Sequence, residues 1–316
     1  MKKTLLVALL GSLTAAQATV DLSKVDEFIS QTAEKNKLDP QWVRGIVSQA
    51  NHQQGIIDAM SKPAERTLRW FEYRKIFMTD KRVNEGVDFW TKHQSVIDKV
   101  SKESGVDPEY IVAIIGVETF YGRIMGSHKV LDALYTLAFD YPKRSPFFTK
   151  ELEHFLLLAN EQHVNALEAK GSYAGAMGYG QFMPSSYRSY AVDFEKDEKI
   201  DLLNNPQDAI ASVANYLARH GWKSGQTVVT QIDKAETIDT KNNQLKPHLK
   251  TSEGVDYTQL ALKISEQNTE YWQAFKNFYV ISRYNHSHLY VMAVHQVAQA
   301  IKEARQHANK QTGIEQ

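Results

Sequence analysis

The run Ile111-Val112-Ala113-Ile114-Ile115-Gly116-Val117 limits the possible folds of this chain more than any other stretch. Wound as a helix it is apolar on nearly all sides, so it belongs inside the protein and not along a surface. It ends in a carboxylate, Glu118, followed by Thr119-Phe120-Tyr121-Gly122. Asp and Glu are rarely fully buried unless paired. Removing a carboxylate from water disfavours its charged form, and a Glu kept protonated near neutral pH is what a general acid needs. The same residues also permit a carboxylate that faces water or joins a structural ion pair. Taken alone, the segment leaves both readings open.

At 316 residues the chain is about twice a usual domain of ~100–200 residues, so two or three packed units are expected around a sizeable core. Hydrophobic residues make up 42% and charged residues 23%, the balance of a folded globular protein. Lys and Arg number 37 and so do Asp and Glu, which argues against a nucleic-acid partner, since such proteins carry a basic excess. There is no cysteine. Disulfide frameworks, thiol catalysis, zinc–thiolate sites and iron–sulfur ligation are therefore excluded, and packing alone must hold the fold.

Met1-Lys2-Lys3, an apolar stretch from Thr4 to Leu13 and the small-x-small triplet Ala16-Gln17-Ala18 form a secretory signal over residues 1–18. Gly11 and Ser12 interrupt the apolar run well short of the ~20 residues that span a bilayer. Cleavage leaves 35 basic against 37 acidic residues, a formal charge of −2. No other segment is apolar enough to cross a membrane, and without a cysteine there is no lipid attachment point. A soluble, monomeric periplasmic protein is the expectation.

Helical signals dominate the remainder. Asp39-Pro40 and Asp107-Pro108 each read as an N-cap followed by Pro at the first helical position. Amphipathic helices are expected over Arg82 to Lys102, Phe148 to Lys170, Pro206 to His220 and Ser287 to Gln306, with the last started by a cap within His286-Ser287-His288. Gln226 to Ile232 is β-branched and strand-like, and Asp239 to Gly254 is polar with Asn242, Asn243 and Pro247 as turn residues.

The second unusual segment is Gly171-Ser172-Tyr173-Ala174-Gly175-Ala176-Met177-Gly178-Tyr179-Gly180-Gln181-Phe182-Met183-Pro184. Its glycines imply tight turns or a close approach to something. It is no nucleotide loop, because Met183 stands where a dinucleotide fingerprint needs glycine. Alone it reads equally as a tight helix connection. Together, Gly-Val-Glu118-Thr-Phe-Tyr-Gly and Gly-Ala-Met-Gly-Tyr-Gly-Gln181-Phe-Met-Pro resemble the active-site pattern of lysozyme-like lytic transglycosylases. The likeness is to the membrane-bound lytic transglycosylase B family, glycoside hydrolase family 103. It continues through Ser212-Val-Ala-Asn-Tyr216-Leu, His220-Gly-Trp222 and Arg283-Tyr284-Asn285-His-Ser-His-Leu-Tyr290, so that it covers nearly the whole mature chain.

The resemblance implies cleavage of the β-1,4 bond between N-acetylmuramic acid and N-acetylglucosamine in peptidoglycan, with a 1,6-anhydromuramoyl product. Glu118 would be the only catalytic carboxylate, and no catalytic cofactor is implied. No Asp or Glu lies between Gly171 and Val192, so the glycine-rich loop cannot supply a second one. Ser172 would bond near the catalytic Glu, while Gln181 and Asn285 would contact the sugar at the cleavage point. Tyr73, Tyr216, Tyr284 and Tyr290 match groove-lining positions, although each tyrosine also suits core packing. Lys143 and Arg144 stand where the family places two arginines beside the stem peptide, and a lysine there lacks the bidentate fork. Peptidoglycan glycan strands are the implied partner, with cell-wall synthesis proteins as further candidates.

Asp193-Phe-Glu195-Lys-Asp197-Glu-Lys199 has the spacing of an EF-hand loop, which the family carries here and closes at the position of Asp208. A structural calcium ion is thus a candidate. Glu198 replaces the glycine of position six, Asn204 replaces the glutamate of position twelve, and Lys196 and Lys199 add repulsion, which leaves a solvated turn as the other reading.

The architecture expected is mainly α (α+β). A lysozyme-like core over 101–222, completed by 276–290, would hold Glu118. A helical unit over 19–100, completed by the C-terminal helix 291–316, would flank it, and a small β-containing insertion would occupy 223–275. Two rivals to the transglycosylase reading stand: a muramidase hydrolysing the same bond, and a non-catalytic peptidoglycan-binding protein of the envelope.

Overall fold

The computed structural model describes residues 20–61, 67–162, 164–235, 238 and 245–312. The signal segment 1–18 and the turn residues Asn242 and Asn243 lie outside the described residues. The fold is mainly α with two small antiparallel sheets, as the sequence leads one to expect.

The apolar run forms the central helix, Pro108–Thr119, in which every residue but Pro108 and Glu118 is buried. Four helices wall it in: the long C-terminal helix His288–Thr312, Pro206–Arg219, Asp80–Lys92 and Gln94–Ser104. The last two divide the amphipathic stretch expected from Arg82 to Lys102, meeting at His93, which ends one and begins the other. A second group packs Ser145–Glu161 on Val130–Asp140 and Pro184–Tyr190, and that helix stops at Glu161, well before Lys170.

The two Asp-Pro starts both open helices but differ in chemistry. Asp39 caps its helix, its carboxylate accepting from the Gln41 amide at 2.9 Å. Asp107 makes no such cap; its carboxylate accepts from Trp222 Nε1 at 2.9 Å instead, tying the start of the central helix to the chain beyond Arg219. At the C-terminal helix the cap is Ser287, whose Oγ accepts from the Tyr290 amide at 3.4 Å.

The larger sheet runs in the order β3 (Val229–Ile232), β6 (Thr269–Ala274), β5 (Asp256–Lys263), β4 (Leu249–Lys250). Its register sets Val229 opposite Ala274 and Leu260 opposite Trp272. It rests on the helix Trp70–Phe77, with Arg69 at the helix start ion-paired to Glu266 in the β5–β6 turn. The smaller sheet joins β1 (His128–Lys129), just after the central helix, to β2 (Lys170–Gly171), where the glycine-rich loop begins.

Candidate active site

Glu118 sits half-buried in the last turn of the central helix. The chain then leaves through three consecutive left-handed residues, Phe120 at φ 53°, Tyr121 at φ 60° and Gly122 at φ 87°. Two of the three carry side chains that rarely adopt this conformation, so surrounding contacts must enforce it. Thr119 supplies one of them, its hydroxyl donating to the Tyr179 carbonyl at 2.8 Å and accepting from the Gly122 amide at 2.9 Å. A side chain at Gly122 would meet the Tyr179 ring, its Cβ only 2.1 Å from Cε1.

That contact brings the glycine-rich loop against the end of the helix. The loop is stitched by backbone bridges from Met177 to Gly171 and to Phe182, and by Ser172 Oγ, which accepts from the Ala176 and Ala174 amides at 3.1 and 3.3 Å. Gly178, at φ 72°, lies so close to the Leu202 carbonyl that a Cβ would stand 2.2 Å from its oxygen. Gln181, at φ 49°, donates its side-chain nitrogen to the Met125 and Gly178 carbonyls at 3.1 and 3.0 Å. Beneath the loop, the buried Glu151 carboxylate accepts from the Ser185 amide and hydroxyl at 2.9 and 2.7 Å and fixes the helix that follows.

The C-terminal part of the chain closes the site. The Tyr290 hydroxyl donates to Glu118 Oε1 at 2.5 Å, and its ring is only 3% exposed. Tyr284 donates to the Gly180 carbonyl at 2.5 Å. Burial, reinforced by the Glu118 carboxylate, raises both hydroxyls well above the ordinary tyrosine range, so both stay protonated donors at neutral pH. Tyr73, 1% exposed, lies near enough to Tyr290 to act on it.

The residues singled out in the sequence therefore fall into unequal roles. Glu118, Tyr290, Tyr284 and Tyr73 gather in one place, and Asn285 follows Tyr284 with its side-chain oxygen accepting from the Ser287 amide at 3.2 Å. Tyr73, Tyr216 and Tyr290 are buried. Tyr216 spends its hydroxyl on the Arg283 carbonyl at 2.5 Å and packs its ring 4.8 Å from Tyr284 and 4.1 Å from His220. Lys143 and Arg144 are exposed; the Arg144 guanidinium lies 4.3 Å over the Phe147 ring. With Arg283 it adds to the effect of burial in lowering the pKa of His286, next to Asn285.

The candidate calcium loop is held by hydrogen bonds within the chain. Both Asp193 oxygens accept main-chain amides, at 2.6 Å from Lys196 and 2.8 Å from Glu198. Both Glu195 oxygens accept side-chain amides of Asn205 and Gln207, at 2.7 and 2.8 Å. Asp197 accepts from the Lys199 amide, and the buried Asp208 accepts from the Phe194 and Asp201 amides, each at 2.9 Å for the latter pair. The Lys199 ammonium turns to Asp201 at 3.5 Å. Among the described residues no three His, Asp or Glu side chains converge as a metal would require. The carboxylates of the expected ligand set, Asp193, Glu195, Asp197 and Asp208, thus all accept hydrogen bonds within the chain, with Lys199 among them.

Thr119 and Tyr121 lie inside the Glu118 motif without being singled out for a role, and Glu151 reads in sequence as an ordinary polar position of an amphipathic helix.

The transglycosylase SLT domain matches residues 21–299. This chain belongs to that family. It is 41% identical over 300 residues, 88% of this chain and 82% of the other, to the membrane-bound lytic murein transglycosylase B of Escherichia coli strain K12. Among solved structures it resembles the soluble lytic transglycosylase SltB1 of Pseudomonas aeruginosa, with TM-score 0.81 and 45% identity over 89% of this chain and 99% of that one. It also resembles the Escherichia coli lytic transglycosylase Slt35 in complex with calcium, with TM-score 0.77 and 41% identity over 88% and 92%. The fold of this transglycosylase family member is accordingly lysozyme-like and mainly α.

Proposed function

We propose that this protein is a lytic murein transglycosylase acting on peptidoglycan glycan strands in the periplasm, with Glu118 as its single acid–base group. The observation that carries the reading is the Tyr290 hydroxyl donating to Glu118 Oε1 at the end of a buried helix, with Tyr284 close by. In the first step the Glu118 carboxyl proton passes to the glycosidic oxygen and the bond to the muramoyl anomeric carbon breaks. Electron density from the muramoyl acetamide replaces the missing nucleophile, one of the exceptions to the two-carboxylate scheme. In the second step the Glu118 carboxylate takes the proton of the muramoyl 6-hydroxyl as that oxygen bonds the anomeric carbon, which closes the 1,6-anhydro ring without water. The Tyr290 donor stabilises the carboxylate that exists between the two steps.

Around it, Gln181 has both nitrogen donors engaged, so it offers its carbonyl oxygen to a sugar N–H or O–H. Asn285 follows Tyr284, which bonds the Gly180 carbonyl, and reads a sugar polar group, while Arg144 with Lys143 supplies positive charge for stem-peptide carboxylates. Ser172 acts by shaping the loop through the Ala174 and Ala176 amides. This chemistry uses no cofactor. No helix among the described residues is long and apolar enough to cross a membrane, which agrees with a form released by cleavage near Ala18. The division into a helical unit (19–100 with 291–316), a core (101–222 with 276–290) and a sheet unit (223–275) belongs to the same proposal, supported by strands β3 to β6 falling within 229–274.

The test is a digest of purified peptidoglycan with the mature protein and its Glu118→Gln variant, products read by mass spectrometry. Muropeptides one water lighter than hydrolytic products, absent with the variant, are expected. Full-mass reducing ends would make the protein a muramidase, and no cleavage by either would leave a binding protein.

A further inference from the structure

Arg82 is a buried cation without a carboxylate. Its side chain is in the helix Asp80–Lys92, 8% exposed, and among the described residues no acid lies within ion-pair distance; the nearby Glu85 pairs with Arg123 instead. Burial lowers the guanidinium pKa, and the attraction of Tyr121 and of the more distant Glu85 offsets this only in part. Such an arrangement is costly, so its partners matter. All are main-chain carbonyls. Nε donates to Gly116 at 3.1 Å, and one terminal nitrogen donates to Ile76 and Phe77 at 2.6 and 2.9 Å. The guanidinium also lies 4.7 Å over the Phe120 ring.

These carbonyls are the C-terminal ends of two helices. Ile76 and Phe77 end the helix that carries Tyr73, and Gly116 is in the last turn of the helix that carries Glu118. The final carbonyls of a helix bear the negative end of its dipole, so one guanidinium adds a charged donor to both ends together, beside the Phe120 and Thr79 amides that Gly116 and Phe77 also accept at 3.1 and 3.0 Å. The main chain of Arg82 adds a second tie. Its own carbonyl accepts from the Tyr121 hydroxyl at 2.8 Å, and Tyr121 is one of the left-handed residues directly after Glu118. Tyr121 reaches that carbonyl through a space left by Gly86 and Gly116, where a Cβ on either would stand 2.5 Å from its oxygen.

Resting on the reading of Glu118 as the general acid, we propose that Arg82 is a positioning residue for the reaction, holding the last turn of the Glu118 helix in register with the Tyr73 helix so that the Glu118 carboxyl meets Tyr290 and the glycosidic oxygen. It touches no substrate. Its effect runs from Gly116 to Glu118 in the same turn, and from Tyr121 to the strained exit.

The experiment uses the mature protein with Arg82→Ala, Arg82→Lys and, in parallel, Glu118→Gln, assayed on soluble glycan-strand fragments for kcat and KM, with melting and circular dichroism recorded. Small misplacements of a reacting group cost about 100-fold, so Arg82→Ala is expected to lose about that factor in kcat with KM within about threefold of the parent. Added guanidinium ion, which can enter the vacated space and donate to the same carbonyls, should restore activity by about tenfold. Arg82→Lys should remain well below the parent, since an ammonium is a point charge that cannot fork between two helix ends. The role is overturned by a folded Arg82→Ala or Arg82→Lys with parental kcat, or by a loss that follows the folded fraction and is indifferent to guanidinium. If Arg82→Ala does not fold, Arg82→Lys decides by the same kcat criterion. An inactive Glu118→Gln beside a fully active Arg82 variant removes the positioning role alone, whereas an active Glu118→Gln removes the assignment of Glu118 and this role with it.

Discussion

Gly116→Ala sets two physical effects against each other. In a helix interior alanine is favoured over glycine by ~1 kcal/mol, so helix propensity alone predicts a more stable protein. The structure predicts the reverse. A Cβ at Gly116 would stand 2.5 Å from the Tyr121 hydroxyl and 2.6 Å from its ring carbon Cζ. Tyr121 cannot swing aside cheaply, because it is 9% exposed and its hydroxyl is bonded to the Arg82 carbonyl. Forcing a methyl into such a contact costs ~1–3 kcal/mol, and a buried hydroxyl pushed off its acceptor costs ~1–3 kcal/mol more. Against the ~1 kcal/mol gained from propensity, the net loss is about 3 kcal/mol. At roughly 2 °C per kcal/mol for a chain this large, the melting temperature falls by about 6 °C. Gly45→Ala is the matched control. That glycine is exposed in the helix Pro40–Val47, and a Cβ there meets nothing within 4 Å. It should gain ~1 kcal/mol and melt about 2 °C higher. Calorimetric melts of the two variants and the parent decide the matter. A Gly116→Ala protein melting at or above the parent would show that Tyr121 is not wedged as described.

Two further outcomes follow from the same contacts. Tyr290→Phe keeps the ring and removes the donor on Glu118; a hydrogen bond to a charged group is worth ~1.5–3 kcal/mol, so kcat should drop by roughly 10- to 150-fold while the fold survives, and a Phe variant with full turnover would refute the role given to that bond. His295, bonded through Nδ1 to the Tyr110 hydroxyl at 2.8 Å, has its pKa lowered by burial to about 4. An unfolded histidine near 6.5 takes up a proton that the native one refuses, so this site's stability is fully present above about pH 6.5 and is lost as pH falls toward 4, by up to about 3 kcal/mol. Denaturation midpoints against pH should therefore decline less steeply for His295→Gln than for the parent; parallel profiles would refute the assignment.

How much of this was legible beforehand differs from residue to residue. Glu118 was marked because a carboxylate at the end of an all-apolar helix is a chemical conflict visible in one dimension. The glycine-rich loop was marked by composition, and the two Asp-Pro helix starts by local backbone preference. The tyrosines stand out in the sequence, but a ring that lines a groove and a ring that packs a core have the same sequence signature, so composition alone does not separate the two. In the cation loop the acids recur at EF-hand intervals, a spacing visible in the sequence, whereas the amide donors that Asn205 and Gln207, ten and twelve residues beyond Glu195, bring to that carboxylate are visible only in the fold.

The sequence by itself determined that the chain is mainly helical, that the helix ending in Glu118 is buried, and that a glycine-rich turn must approach something closely. These follow from periodicity, caps and side-chain volume, all of them local. Only the tertiary structure decided what reaches Glu118 and what holds it. Tyr290 lies 172 residues away along the chain from Glu118, and Arg82 lies 34 residues before Gly116. Neither pairing leaves a periodic or compositional trace, because each is a single hydrogen bond between elements whose relative placement is set by how the surrounding helices pack.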